Sequence, residues 1–172
     1  ISRQTIYDLQ SSLSAELAED YFGAATTFVA AEIDQITRKA KILSVGDSRA
    51  YLIDAQGKWQ QITQDHSILS ELLTDFPDKK EEDFATIYSG VSSCLVADYS
   101  EFQDKIFYQE IEIQKGESLL LCSDGLTDGL SEEMREKIWK QYDNDKSRLT
   151  VCRKLIAKQG FYDDLSVIIC AF

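Results

Sequence analysis

Histidine occurs once in this chain, at His66, proline once, at Pro77, and methionine once, at Met134. The four cysteines, Cys94, Cys122, Cys152 and Cys170, form no CxxC pair. A zinc centre needs Cys and His clustered at short spacing, so zinc is excluded. No apolar run comes near the roughly 20 residues of a membrane-spanning helix, and no membrane partner is expected. Basic residues are also scarce: 18 Lys and Arg stand against 30 Asp and Glu. The resulting net charge of −12 repels nucleic-acid phosphates and excludes that class of partner. Repeats, low-complexity tracts and linker-like stretches are missing as well, which leaves one domain spanning residues 1–172.

What is present is an ordinary globular composition, 44% hydrophobic and 28% charged, long enough to bury a core. The thiols sit among apolar neighbours and read as buried and free in a reducing cytosol, so we expect a cytoplasmic protein. The chain opens on Ile1 and its single methionine is internal, so we expect a piece of a longer polypeptide. A surplus of carboxylates suits divalent cations, although a solvated acidic face is its commoner meaning.

Ile6, Leu9, Leu13 and Leu17 recur at helical spacing and predict an amphipathic helix ending near Gly23. Strand-like runs follow at Thr26–Ile33, Ala40–Val45, Ala50–Asp54 and Trp59–Thr63, the last two joined by a turn at Ala55-Gln56-Gly57-Lys58. Ser67 caps a short helix that Asp75-Phe76-Pro77 stops, and the charged stretch Asp78–Asp83 reads as a mobile loop. Further strands are expected at Ile106–Ile113 and, after a turn at Lys115-Gly116, at Leu119–Cys122. Helices follow near Ser131–Tyr142 and Ser147–Lys158, with Gly160 as a stop signal. The closing run Leu165–Phe172 is apolar on both faces and reads as a central strand. Strands grouped in hairpins, not alternating with helices, indicate an α+β fold on antiparallel sheet.

Acidic residues collect at strand ends. Asp47 follows the strand ending at Val45, Asp65 follows the Trp59 strand, Asp124 follows Leu119–Cys122, and Asp163-Asp164 precede the last strand. If the last two strands are antiparallel neighbours, Asp124 and Asp163 meet at one sheet edge. Carboxylates brought together repel unless protonated or bridged by a cation, and oxygen-only donors suit Mg²⁺ or Mn²⁺. Asp also commonly caps turns and helices, and spacing alone leaves both roles open.

Five segments, in order, resemble the metal-dependent protein phosphatases of type 2C. Gly23-Ala24-Ala25-Thr26-Thr27 is similar to that family's GTT strand entry, and Gly46-Asp47-Ser48-Arg49-Ala50-Tyr51-Leu52 to its GDSRAYL segment. Gln61–Ser67 resembles QLTxDHS, Leu121–Asp128 resembles CSDGLTD, and Asp163–Ile168 resembles DNxTVI with Asp164 in place of the usual asparagine. The resemblance implies a four-layer α-β-β-α sandwich of two antiparallel sheets flanked by helices. It also implies an enzyme that hydrolyses phosphoserine and phosphothreonine in proteins with a metal-activated water, two Mn²⁺ or Mg²⁺ ions forming the centre and a third binding more weakly.

Carried over by matching positions, Asp124 and Asp163 are expected as metal-binding, catalytic residues, and Asp65 with Asp124 at the weaker third ion, Asp128 being a further candidate there. Asp47 and Arg49 are expected to brace the metal-bearing strands, with Gly125 supporting. His66 is expected to be hydrogen-bonded beside the site, with assistance to a leaving group as the alternative. The segment Asp75–Phe102 matches the family's variable flap, expected to affect substrate choice.

The family's early acidic ligand, its Asp-Gly-x-Gly-Gly segment and its phosphate-binding arginine have no counterpart in these residues. We therefore expect a domain without its N-terminal strands, with low activity by itself and an open sheet edge prone to association. A phosphatase-like binding or regulatory module that has lost catalysis is the alternative reading. The oligomeric state is not legible.

Overall fold

Fifteen residues of helical spacing open the chain as α1 (Arg3–Leu17), and the short strand β1 (Ala25–Thr26) follows. Next come β2 (Phe28–Asp34), β3 (Lys39–Val45), β4 (Arg49–Ile53) and β5 (Trp59–Gln61). Helix α2 (Ile68–Asp75) precedes a 3-10 turn at Glu81–Asp83 and strand β6 (Leu95–Val96). The remainder comprises β7 (Phe107–Glu112), β8 (Ser118–Cys122), α3 (Asp124–Gly129), α4 (Glu132–Gln141), α5 (Asp145–Lys158) and β9 (Val167–Ala171). This computed structural model describes residues 1–17, 19–21, 23–85, 90–98, 102–160 and 163–172. Parts of the expected flap, 86–89 and 99–101, lie outside the described residues. The expected mixture of helices and antiparallel sheet is borne out.

The chain divides into two units, one made of Ile1–Glu32, Lys41–Ser48 and Thr63–Glu110, the other of Ile33–Ala40, Arg49–Ile62 and Ile111–Phe172. In the first, Ile6 of α1, Leu43 and Val45 of β3, Leu95 of β6 and Ile106 form an apolar cluster. Burying each such side chain contributes roughly 1.5–3 kcal/mol. The helix ends at Leu17, short of Gly23, and its buried stripe differs from the expected one. Leu9 is exposed while Gln10 is fully buried. The Gln10 Nε2 donates to the Val96 carbonyl at 2.6 Å and its Oε1 accepts from the Val96 N–H at 3.0 Å. A polar side chain thus continues the short β1–β6 ladder where, among the described residues, no further strand pairs with it, and these bonds offset the cost of its burial.

In the second unit the sheet order is β5-β4-β8-β9. The β4–β5 turn forms as expected, with Gly57 at φ +77° and the Asp54 N–H donating to the Lys58 carbonyl. Tyr51, Trp59, Leu120, Cys122, Leu126, Ile138, Trp139, Cys152 and Ile156 belong to its apolar core. The Trp59 and Trp139 rings meet edge to face at 4.6 Å, and the buried Arg135 guanidinium lies 5.1 Å from the Trp59 ring centre and 5.2 Å from that of Tyr51.

Three expectations need correction. The closing strand β9 is the terminal strand of its sheet among the described strands, not a central one, because β8 occupies the position between it and β4. Ile168 is accordingly 68% exposed. The stretch expected as a loop at Asp78–Asp83 contains a 3-10 turn, stabilised where the Lys80 N–H donates to the Asp83 carboxylate. Of the four thiols, Cys122 and Cys152 are buried, whereas Cys94 and Cys170 are half-buried; all four are free.

Candidate functional site

The second unit carries Arg49, Asp124, Gly125, Asp128 and Asp163. Strands β8 and β9 pair antiparallel with Cys122 opposite Val167, so the chain leaving one runs beside the chain entering the other. The Ser123 N–H donates to the Ser166 carbonyl at 3.1 Å, and the Ser123 Oγ donates to the Asp164 carbonyl at 2.9 Å. The same Oγ accepts from the Ser166 N–H at 3.1 Å. Asp124, half-buried, opens α3 immediately after Ser123. Asp163, exposed, accepts the Asp164 N–H on its own Oδ1 at 2.8 Å, and this fixes the carboxylate as the chain turns toward β9.

Gly125 explains the closeness of the two segments. A Cβ there would lie 2.5 Å from the Asp164 carbonyl oxygen, a backbone atom with no freedom to move aside, so only glycine fits. Arg49 begins β4 opposite Cys122, which puts it at the end of the β4–β8 ladder from which Asp124 departs. Asp128 is exposed, one turn further along α3.

The first unit carries Asp47, Asp65 and His66. The turn after β3 places Gly46 at φ +102°, and a Cβ there would stand 2.5 Å from Thr27 Cγ2. Thr27 and Ser48 hydroxyls hydrogen-bond at 2.8 Å across the same turn. The Gly46 N–H donates to His66 Nδ1 at 3.0 Å, and the His66 N–H donates back to the Gly46 carbonyl at 3.0 Å. An accepting Nδ1 requires the neutral ring, with its proton on Nε2. Burial first, then the positive charge of Lys105, hold His66 below the ordinary imidazole value; Asp65 and Glu71 oppose this. His66 is thus hydrogen-bonded to the turn that follows β3. Asp47 is half-buried, and its charge adds to burial in raising the Cys94 thiol. Asp65 is half-buried and borders a cleft of about 520 Å³ that His66, Glu71, Asp104 and Lys105 also line.

Strand pairing therefore brings Asp124 and the Asp163-Asp164 turn to one sheet edge, as the antiparallel expectation required. Among the described residues no three His, Cys, Asp or Glu side chains stand close enough to hold a metal ion together. The two strand ends bring carboxylate side chains, whose chemistry fits Mg²⁺ or Mn²⁺ as part of a ligand set. Sequence reasoning missed Ser123, whose one hydroxyl ties both strand ends, and Glu71. Serine beside an Asp-Gly step carries no such signal without the register. Among the described residues no helix is long and apolar enough to cross a membrane.

Comparison with known proteins agrees with this geometry. The chain is 32% identical over 169 residues to the serine/threonine phosphatase stp of Listeria monocytogenes, covering 97% of this chain and 65% of that protein. Against Stp of Listeria innocua it spans 60% of the relative's length, so the chain spans under two thirds of the curated relatives it matches. The crystal structure of serine/threonine phosphatase Stp1 from Staphylococcus aureus superimposes with a TM-score of 0.81 at 26% identity, over 99% of this chain and 66% of that one. The catalytic domain of serine threonine protein phosphatase PstP, solved in complex with two manganese ions, has the same fold, with a TM-score of 0.72 at 23% identity over 93% of this chain and 65% of that one. Residues 2–151 match the family described as protein phosphatase 2C, and the chain belongs to that family.

Proposed function

We propose that this chain is the greater part of one phosphatase domain that hydrolyses phosphoserine and phosphothreonine in cytoplasmic proteins with the help of Mn²⁺ or Mg²⁺. The observation that carries the reading is the β8–β9 edge, where Asp124 and Asp163 leave adjoining strand ends and Gly125 permits the close approach. The family match and the Stp relatives support the same reaction.

Asp124 and Asp163 would hold the ions, two in number by likeness to the PstP complex, with Asp65 and Asp128 as candidates for a third. Bound there, the ions supply Lewis acidity and a water acidic enough to ionise near neutral pH. The chain's own residues supply position. Asp163 is fixed by the Asp164 N–H, Asp124 by its place at the start of α3, and Ser123 locks the two segments together. Arg49, opposite Cys122, would brace the β4–β8 end beside Asp124. His66, neutral and anchored to Gly46, keeps the turn that carries Asp47 in place.

A phosphatase-like binding module is the second reading, favoured by the lack of a three-carboxylate cluster among the described residues. Hydrolysis of p-nitrophenyl phosphate by the complete encoded protein separates the two. The enzyme reading expects Mn²⁺-dependent turnover that Asp124→Asn reduces about a hundredfold or more. Absence of metal-dependent turnover in the unaltered protein would contradict it and leave the module.

A further inference from the structure

Helix α2 has an apolar sequence, ILSELLTD, yet none of its residues is buried. Leu69, Leu72 and Leu73 are only half-buried, so polar links add to a partial apolar contact in placing the helix. Ser67 caps it by accepting the Ser70 N–H on Oγ. Beyond the cap, the Ile68 N–H donates to the Gly90 carbonyl at 3.2 Å, and the Ser92 N–H donates to the His66 carbonyl at 2.8 Å. Ser67 and Val91 form an isolated antiparallel bridge. The segment 90–92 thus runs alongside the start of the helix.

Glu71 gathers these pieces. Its Oε1 accepts from the Ser92 Oγ at 2.5 Å and from the Lys105 Nζ at 2.6 Å. Ser93 next door donates its hydroxyl to the Gln103 carbonyl at 2.8 Å. One carboxylate oxygen therefore joins segment 90–93, segment 103–105 and the helix. These hydrogen bonds hold the Glu71 carboxyl below its usual range, the Lys105 ammonium contributing most. Glu71 and Lys105 also line the cleft that Asp65 and His66 border. An exposed ion pair alone contributes little, but two donors on one oxygen, backed by backbone bonds on both sides, form a network.

We propose that Glu71 is a specificity-determining positioning residue: it fixes segments 90–93 and 103–105 as walls of the cleft beside Asp65, where the polypeptide around a phosphorylated side chain would lie. The proposal rests on the phosphatase reading of this chain. Both donors on the Glu71 carboxylate come from the cleft walls, so its role is toward the macromolecular substrate and not the chemistry.

The test uses the complete encoded protein with Mn²⁺ and two substrates, a phosphothreonine peptide and p-nitrophenyl phosphate, which has no polypeptide to meet the cleft walls. In Glu71→Gln the peptide KM is expected to rise about three- to tenfold, with kcat and the p-nitrophenyl phosphate parameters unchanged. Lys105→Met is expected to move the peptide KM in the same direction. Amide exchange at Gly90–Ser93 is expected to quicken by a similar factor in both variants. Equal effects on both substrates, or an unchanged peptide KM with faster exchange, would overturn the positioning role. Should the unaltered protein hydrolyse neither substrate, the phosphatase reading fails; the exchange measurement then decides the clamp itself, and unchanged exchange in Glu71→Gln overturns it.

Discussion

Gly46 and His66 hold each other through two hydrogen bonds, one from the Gly46 N–H to the imidazole Nδ1 and one from the His66 N–H to the Gly46 carbonyl. The pair closes the turn that presents Asp47. Removing the ring in His66→Ala leaves the half-buried Gly46 N–H without its acceptor and is expected to cost about 1–2 kcal/mol. Gly46→Ala is expected to cost more, roughly 3 kcal/mol, because its φ of +102° disfavours a side chain and the new Cβ would overlap Thr27. Urea unfolding of the two variants checks the order; a Gly46→Ala protein as stable as the parent would contradict it.

Gln10 gives an independent check on the first unit. Its amide is the hydrogen-bond partner of both the N–H and the carbonyl of Val96, and it is fully buried. Gln10→Ala is expected to lose about 2–3 kcal/mol, and Gln10→Leu, although apolar and of similar size, is expected to do no better because the Val96 N–H loses its Gln10 acceptor and the Val96 carbonyl keeps only the long 3.4 Å bond from the Ser14 hydroxyl. A Gln10→Leu variant more stable than the parent would show that burial outweighs the pairing.

Cys152 supplies a pH dependence with a definite sign. It is fully buried, and burial pushes its thiol from the ordinary 9.0 up to about 11. The folded state therefore retains the proton that the unfolded state releases between these values. Its contribution is complete below pH 9 and is lost as pH rises through about 11. The thermal midpoint of the parent is expected to fall more steeply across that window than that of Cys152→Ala, and native-state alkylation of Cys152 at pH 8 is expected to be slow. Identical slopes would contradict the assignment.

Much of this architecture was legible in the residues themselves. Ser67 before Ile68-Leu69, Gly57 in the β4–β5 turn and Gly160 after α5 each act locally, and each does what its type favours. The meeting of Asp124 with Asp163 followed from one assumption, that β8 and β9 pair antiparallel, and the register supports it. What was not legible depends on partners distant in sequence. Nothing near Gln10 in the sequence marks it as buried, because its partner Val96 lies 86 residues away. The apolar run of β9 suggested a central strand, but the position of a strand is fixed by its neighbours and not by its composition. Glu71 carried no motif; its meaning comes from Ser92 and Lys105 converging on one oxygen.

The account as a whole stands on the acidic edge between β8 and β9, and calorimetric titration of Mn²⁺ into the complete encoded protein tests it most directly. The account predicts binding that Asp124→Asn and Asp163→Asn each weaken about tenfold or more, with the fold retained by circular dichroism. Binding of unchanged affinity in both folded variants would contradict it and remove this edge as the metal centre.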